Sequence, residues 1–187
     1  HMILLVEIIS RRIKGRIRTY NKRQEIFTRN VIRGEIYSGD GVTLAETVVD
    51  EEGNETRVYP YGRIFAHVVG YSTRGKSGIE KLANFSLLRS NLFYMEKAVS
   101  QLQGEKSPGD SVTTTLDYEL QLRAFDALGK YDGAVVVMEP ETGKILAMVS
   151  KPDFDPNNIA EEWDEMVDED SGSSALLRSE ERRVGKE

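Results

Sequence analysis

The stretch Gly133 to Asn157, GAVVVMEPETGKILAMVSKPDFDPN, constrains this chain more than any other. Ala134 to Met138 is an unbroken apolar, largely β-branched run. Glu139-Pro140-Glu141-Thr142-Gly143 has turn chemistry, and Lys144 to Val149 resumes with Ile, Leu, Met and Val. The pattern predicts a β-hairpin. Its first strand offers no polar face, so it is expected to be covered on both sides, and two strands alone are marginally stable in water. The hairpin needs partners, and the nearest lies just upstream. Asp117 can cap a helix running to Leu128, with Glu119 in the favourable first turn and Gly129 at the stop. Leu120, Ala124, Ala127 and Leu128 mark the face expected to pack on the hairpin.

Earlier in the chain the punctuation is closer. Val31 to Tyr37 leads into the tight-turn signal Ser38-Gly39-Asp40-Gly41, Val42 to Val49 returns, and Asp50-Glu51-Glu52-Gly53-Asn54 turns again before Glu55 to Tyr59. Two hairpins in series predict a small antiparallel sheet. Arg63 to Tyr71, RIFAHVVGY, reads as a further apolar strand. Ser77-Gly78-Ile79-Glu80 has the form of a capping box, in which Ser77 accepts from the Glu80 amide and Glu80 reaches back. The helix it starts would carry a stripe of Ile79, Leu82 and Ala83. A second helix is expected from Leu92 to Gln103, capped by Asn91 and stopped by Gly104, with Leu92, Met95, Val99 and Leu102 on one face. Ser107-Pro108-Gly109-Asp110 breaks the chain, and Ser111 to Leu116 is β-branched enough for a strand that leaves this module near Leu116.

Composition sets outer limits. With 187 residues, 39% hydrophobic and 30% charged, the chain can bury a core and suits one domain or one plus part of a second. Charge is uneven: His1 to Arg33 carries nine Arg or Lys against Glu7 and Glu25, and the remainder is strongly acidic, for a net −6. In Arg12 to Arg18 the cations alternate with Ile and Gly, which a strand would place on one solvated face. Only Tyr20 stands nearby as an aromatic, so nucleic acid is not the expected partner. His1-Met2 looks like a cloning scar, and residues 1–20 are set apart as scar and basic leader. The apolar run Ile3 to Ile9 contains Glu7 and falls far short of the roughly 20 residues that span a bilayer.

These stretches together carry a family likeness. GAVVVMEPETGKILAMVSKPDFDPN, preceded by TTLDYELQLRAFDAL and followed by Trp163 and Ser173-Ser174-Ala175-Leu176-Leu177, resembles the start of the transpeptidase domain of class B penicillin-binding proteins. Arg33-Gly34-Glu35-Ile36, GVTLA at 41–45 and YPYGRIFAHVVGYSTRGKSGIE resemble the non-catalytic N-terminal module of that family, often called the pedestal. The resemblance implies an α+β fold. An antiparallel-strand and helix pedestal or dimerisation module over 21–116 would be followed by an incomplete helix-plus-hairpin transpeptidase start over 117–177. Residues 178–187 match nothing in the family and are expected to be a foreign or disordered tail. It further implies a parent serine D,D-transpeptidase that cross-links peptidoglycan, anchored at the outer face of the bacterial membrane and working with a SEDS-type glycan polymerase.

No catalytic residue, cofactor or metal ligand is assigned within the chain. Lys76-Ser77-Gly78 matches the K-[ST]-G motif of penicillin-recognising enzymes, but no serine here has Lys three residues on or Asn two residues on. The triplet also precedes the transpeptidase-like region instead of following it, so capping explains it better. His67 has no Cys or second internal His to complete a site, and is expected to be structural. Asp153, Asp155, Asn157 and Asp164 fall at positions 1, 3, 5 and 12 of a calcium-loop pattern. Asn158 stands where that loop needs Gly, so an Asp-Pro turn into a helix is preferred. From Glu161 to Asp170 acidic residues around Trp163, Met166 and Val167 suit a surface helix. The alternative to a transpeptidase fragment is a self-sufficient extracytoplasmic binding or adaptor domain. If the sheet normally continues beyond residue 187, the hairpin has unpaired edges and an uncovered apolar face, and association through it or partial disorder around it is expected.

Overall fold

Gly41 and Gly53, both at φ +85°, reverse the chain twice, and the strands they join pair as a sheet. The structure, a computed structural model, describes residues 31–89, 106–161 and 163. The expected helix at 92–103, the basic leader, the C-terminal tail and all but the start of the acidic helix lie outside the described residues. Strands Val31–Ile32 (β1), Ile36–Tyr37 (β2), Thr43–Val49 (β3) and Glu55–Val58 (β4) come first. β2 and β3 pair antiparallel around a turn in which the Ser38 N–H donates to Val42 O at 2.9 Å. β3 and β4 pair antiparallel from Glu46 opposite Val58 to Val49 opposite Glu55. In that second turn the Asp50 carboxylate accepts the Asn54 side-chain amide and then the backbone N–H groups of Asn54 and Glu52, which holds its pKa below the usual carboxylate value.

The sheet is mixed, not purely antiparallel. Ser107–Pro108 (β5) runs parallel to β1, and Val112–Thr113 (β6) runs parallel to β2, giving the order β4-β3-β2-β6. The expected strand at 111–116 shrinks to those two residues, because Leu116 leaves the sheet for the main core beside Ile36, Leu44, Phe65, Val69 and Leu87.

From β4 to residue 89 the chain is largely helical. A 3-10 turn, Gly62–Ile64, precedes Ala66–Val69 (α1), Gly78–Leu82 (α2) and Asn84–Leu87 (α3). The strand expected at Arg63–Tyr71 is therefore corrected to helix. Its buried residues, Phe65, Ala66 and Val69, recur at helical spacing, and a short apolar run cannot by itself distinguish the two periods. Gly62 at φ +43° and Gly70 at φ +81° bracket the segment in backbone that other residues rarely adopt.

The third unit is Tyr118–Leu128 (α4) with Gly133–Met138 (β7) and Ile145–Lys151 (β8). Asp117 caps α4 as expected, its carboxylate accepting the Leu120 N–H at 2.8 Å, and Gly129 ends the helix at φ +53°. β7 and β8 form the expected antiparallel hairpin, from Gly133 opposite Lys151 to Met138 opposite Ile145. Val135, Val137, Ala147 and Val149 pack on Leu120, Ala124, Phe125 and Leu128. Ala127, expected on that face, is exposed, and Gln121 is buried there instead. The first strand is covered on one face only among the described residues: Val136 and Met138 are 54% and 57% exposed. The two faces should respond differently to truncation. Val149→Ala should cost about 2 kcal/mol, from two lost methyl groups and a partial cavity. Val136→Ala should change urea-unfolding stability by less than about 0.5 kcal/mol.

Candidate functional site

The most concentrated polar chemistry among the described residues surrounds Glu80. Its side chain is fully buried, which an isolated carboxylate does not tolerate, and two guanidinium groups meet it. Arg33 Nε donates to Oε2 at 2.7 Å, and its Nη2 donates to the Glu80 carbonyl at 2.8 Å. Arg57 Nε donates to Oε1 at 2.8 Å. Arg33 goes on to Asn84 Oδ1, and Arg57 Nη1 to Gly34 O and Thr47 Oγ1. One cluster thus ties β3, β4, α2, α3 and the segment before β2. Tyr59 OH donates to Glu80 Oε1 at 3.3 Å. Burial first, and then the Glu80 charge, push the phenol up to about 12.

This arrangement replaces the capping box. Ser77 is the extended N-cap residue of α2 but makes no side-chain cap bond, and Glu80 faces inward to the arginines. An arginine pair desolvated in the core is a stronger claim on a carboxylate than one backbone amide. Gly78 of the Lys76-Ser77-Gly78 triplet is needed by the backbone: φ is +53°, and a Cβ would lie 2.5 Å from Val68 O. Lys76 is held below its usual value by burial and then by Arg33. Leu82, expected on the inner stripe of α2, is 86% exposed. Sequence reasoning missed Arg33, Arg57 and Glu80 as partners because their attraction spans 47 and 23 residues. Local period carries no trace of such a pair.

A second set of contacts joins the segment 59–67 to the start of the hairpin unit. Asn157 brackets Tyr59, accepting its N–H at 2.9 Å and donating to its carbonyl at 3.1 Å. Arg63 pairs with Asp153 at 2.8 Å. His67 Nε2 lies 3.0 Å from Pro152 O, and its ring meets Phe154 edge-on. This agrees with a structural histidine. Buried Gln121 donates to Ile64 O and Met148 O and accepts from Met148 N–H. Phe65 and Tyr118 stack between the halves with Tyr61 tilted against both, and Ala66, Phe154 and Ile159 form a further core with Tyr71 and Trp163. Beside this junction opens a groove of about 320 Å³, lined by residues of both halves including His67, Leu82, Thr115 and Met148.

Of the calcium-loop residues, Asp164 lies outside the described residues and the other three are engaged elsewhere. Asp153 holds Arg63, and Asp155 accepts the Asn157 backbone and side-chain N–H groups at 2.9 Å. The chain then enters a helix at 159, the Asp-Pro turn the sequence suggests. Among the described residues no cluster of three potential metal ligands occurs, and no helix is long and apolar enough to cross a membrane.

Comparison with known proteins follows the same division. Residues 33–112 match the family model of the penicillin binding protein A dimerisation domain, and residues 133–175 match that of the penicillin binding protein transpeptidase domain. The chain is 33% identical over 175 residues to peptidoglycan D,D-transpeptidase MrdA of Acinetobacter baumannii, covering 78% of this chain and 26% of that protein. It is 35% identical over 136 residues to peptidoglycan D,D-transpeptidase PbpA of Mycolicibacterium smegmatis, covering 68% of this chain and 28% of that protein. Penicillin-binding protein A from M. tuberculosis, solved as an imipenem acyl-enzyme complex, superposes with a TM-score of 0.67 at 30% identity, over 78% of this chain and 37% of that one. The D,D-transpeptidase domain of a peptidoglycan glycosyltransferase from Eggerthella lenta gives 0.64 at 38% identity, over 80% and 32%. The chain thus spans about a quarter of the length of the curated relatives.

Two outcomes test the network. Glu80→Ala leaves two buried guanidinium groups uncompensated and should destabilise the fold by about 3–5 kcal/mol in urea. The raised Tyr59 pKa means the folded state holds the phenol proton more tightly than the unfolded state. Its contribution is therefore intact below about pH 10 and lost as pH rises toward about 12. Unfolding curves across that range should show a shallower alkaline decline for Tyr59→Phe than for the unsubstituted chain.

Proposed function

The chain belongs to the class B penicillin-binding proteins, and from that premise we propose that the protein it represents is a peptidoglycan D,D-transpeptidase of which these residues form the pedestal and the first transpeptidase elements. The observation that carries this reading is the order and joining of the two matches. A dimerisation-domain match at 33–112 runs into a transpeptidase match at 133–175, and the two halves pack through 59–67 against 148–157. In this reading the two parts are 21–116 and 117–177, a division supported by Leu116 in the first core and by Asp117 capping the next helix.

In this role the chain's own residues do mechanical work. The Glu80 cluster makes the first half a rigid support, and α4 with the hairpin provides the surface on which the rest of a transpeptidase sheet is built. Acylation by a penicillin or a stem peptide needs a serine activated by a positioned base. No S-x-x-K serine occurs in the 187 residues, so the nucleophile of this reading lies in sequence beyond them. The proposed setting is the outer face of the cell membrane, with a SEDS-type glycan polymerase as partner of the first half and peptidoglycan as the substrate of the whole enzyme.

Labelling with fluorescent penicillin tests the assignment. The 187-residue chain should remain unlabelled, while the protein translated in frame past Leu177 should label covalently and lose labelling when unfolded first. Covalent labelling of the 187-residue chain would overturn the placement of the nucleophile. A natural stop soon after Leu177, or a longer in-frame protein that stays unlabelled, would support the adaptor reading in its place.

A further inference from the structure

Gln121 does work that strand backbone ordinarily does. Its Oε1 accepts the Met148 N–H at 2.8 Å and its Nε2 donates to Met148 O at 2.9 Å, so the amide pairs with β8 as a neighbouring strand would. The second Nε2 hydrogen goes to Ile64 O at 2.8 Å, in the 3-10 turn of the other half. One nitrogen therefore bonds both halves at once.

The burial of Gln121 makes this bridge exacting. The side chain has no exposure, so water cannot take over a bond that the protein drops. A relative displacement of the 62–64 turn and β8 must leave at least one buried donor unmade. Other side chains do not substitute: ionised Glu has no donor, Met and Leu have neither group, Lys and Arg have no acceptor, and Asn is one methylene shorter. Flanking contacts, Asn157 on Tyr59 and His67 at Pro152 O, join the neighbouring stretches just outside β8 to the first half.

We propose that Gln121 is a positioning residue that locks β8 to the 62–69 segment, so that displacement of that segment is relayed to the hairpin. The relay is a conformational device of this chain and stands independently of the transpeptidase reading. It makes β8 responsive to whatever moves the 62–69 segment, although the two are far apart in sequence.

Hydrogen exchange on the 187-residue chain tests the relay. Gly62→Ala strains the 3-10 turn, since Gly62 sits at φ +43°, yet a Cβ there meets only the Asp155 carboxylate at 3.5 Å. With Gln121 present, Gly62→Ala should quicken exchange in both 62–69 and β8, by roughly tenfold in each. In a Gln121→Met background β8 should already exchange faster, and Gly62→Ala should add to exchange only in 62–69. Acceleration confined to 62–69 with Gln121 present, or equal acceleration of β8 with and without Gln121, would overturn the relay.

Gln121→Glu gives a second readout that a merely space-filling role would not move. Its carboxylate would face the Ile64 and Met148 carbonyls, which favours the protonated acid and its one donor. Protection of β8, corrected for intrinsic exchange, should rise as pH falls from about 8 to about 5 in this variant and not in the unsubstituted chain. Equal protection at both ends of that range would also overturn the proposal, and this arm stands if Gln121→Met fails to fold.

Discussion

A carboxylate removed from water must be met by positive charge, and much of the first half of this chain is arranged around meeting that demand at Glu80. Arg33 approaches from the segment between β1 and β2, and Arg57 comes from β4. Their remaining donors then claim carbonyls and side chains of β3, α3 and the Gly34 turn. A cluster of this kind contributes less net stability than an apolar core of equal volume, because desolvation offsets most of the attraction. Its effect is on specificity. The strands of this half are two to seven residues long, and β1, β2, β5 and β6 have only two residues each. Sheets so short do not fix their own register well, whereas two guanidinium forks on one carboxylate admit very few arrangements. Arg57 Nη2 is the one buried side-chain donor or acceptor without a partner among the described residues, so the cluster is satisfied almost to completion.

The parts of the fold legible in the sequence are those whose signal is local. The hairpin at 133–151 could be read because its strands and turn lie side by side in the chain, and α4 because Asp117 and Gly129 mark its ends. The turns at 38–41 and 50–54 announce themselves through Gly, Asp and Asn. The failures share a different cause. RIFAHVVGY is too short for its apolar residues to reveal a period, and its helical form is decided by where Phe65, Ala66 and Val69 find cover. Glu80 satisfies a capping pattern in the sequence but is recruited inward by arginines that the sequence places far away. Gln121 on a helix face reads as polar and therefore exposed, yet it is fully buried because it has carbonyls to meet on two other segments. In each case a long-range partner overrides a local preference.

The same contrast accounts for Lys76-Ser77-Gly78. A motif is chemistry only in the setting that gives its residues their roles. Here the serine starts a short helix, the lysine is partly buried beside a cationic cluster, and the glycine lets α2 approach the end of α1. Three residues that would line an active site elsewhere serve backbone geometry. The likeness to penicillin-binding proteins rests on the order of whole segments along the chain, and that order is insensitive to such coincidences.

The hydrogen bonding of β8 adds a directional constraint. Over its first four residues the side away from β7 is engaged: Ile145 O accepts the Thr115 hydroxyl at 2.6 Å, Leu146 O accepts the Asp117 N–H at 2.8 Å, and Gln121 takes both polar groups of Met148. A strand arriving on that side would have to displace an N-cap residue and a buried amide together. β7 has no described strand on its far edge, and on the sheet face away from α4 its residues Val136 and Met138 are apolar and exposed. Among the described residues the open edge of this sheet is that of β7. Because the blocked edge is held by the start of α4, which also contacts the 62–64 turn through Gln121, the elements that bar extension at β8 are the ones that dock the hairpin on the first half. Residues 115–121 thus both occupy the β8 edge and take part in joining the two halves, beside the contacts of Tyr59, Arg63 and His67 with 152–157.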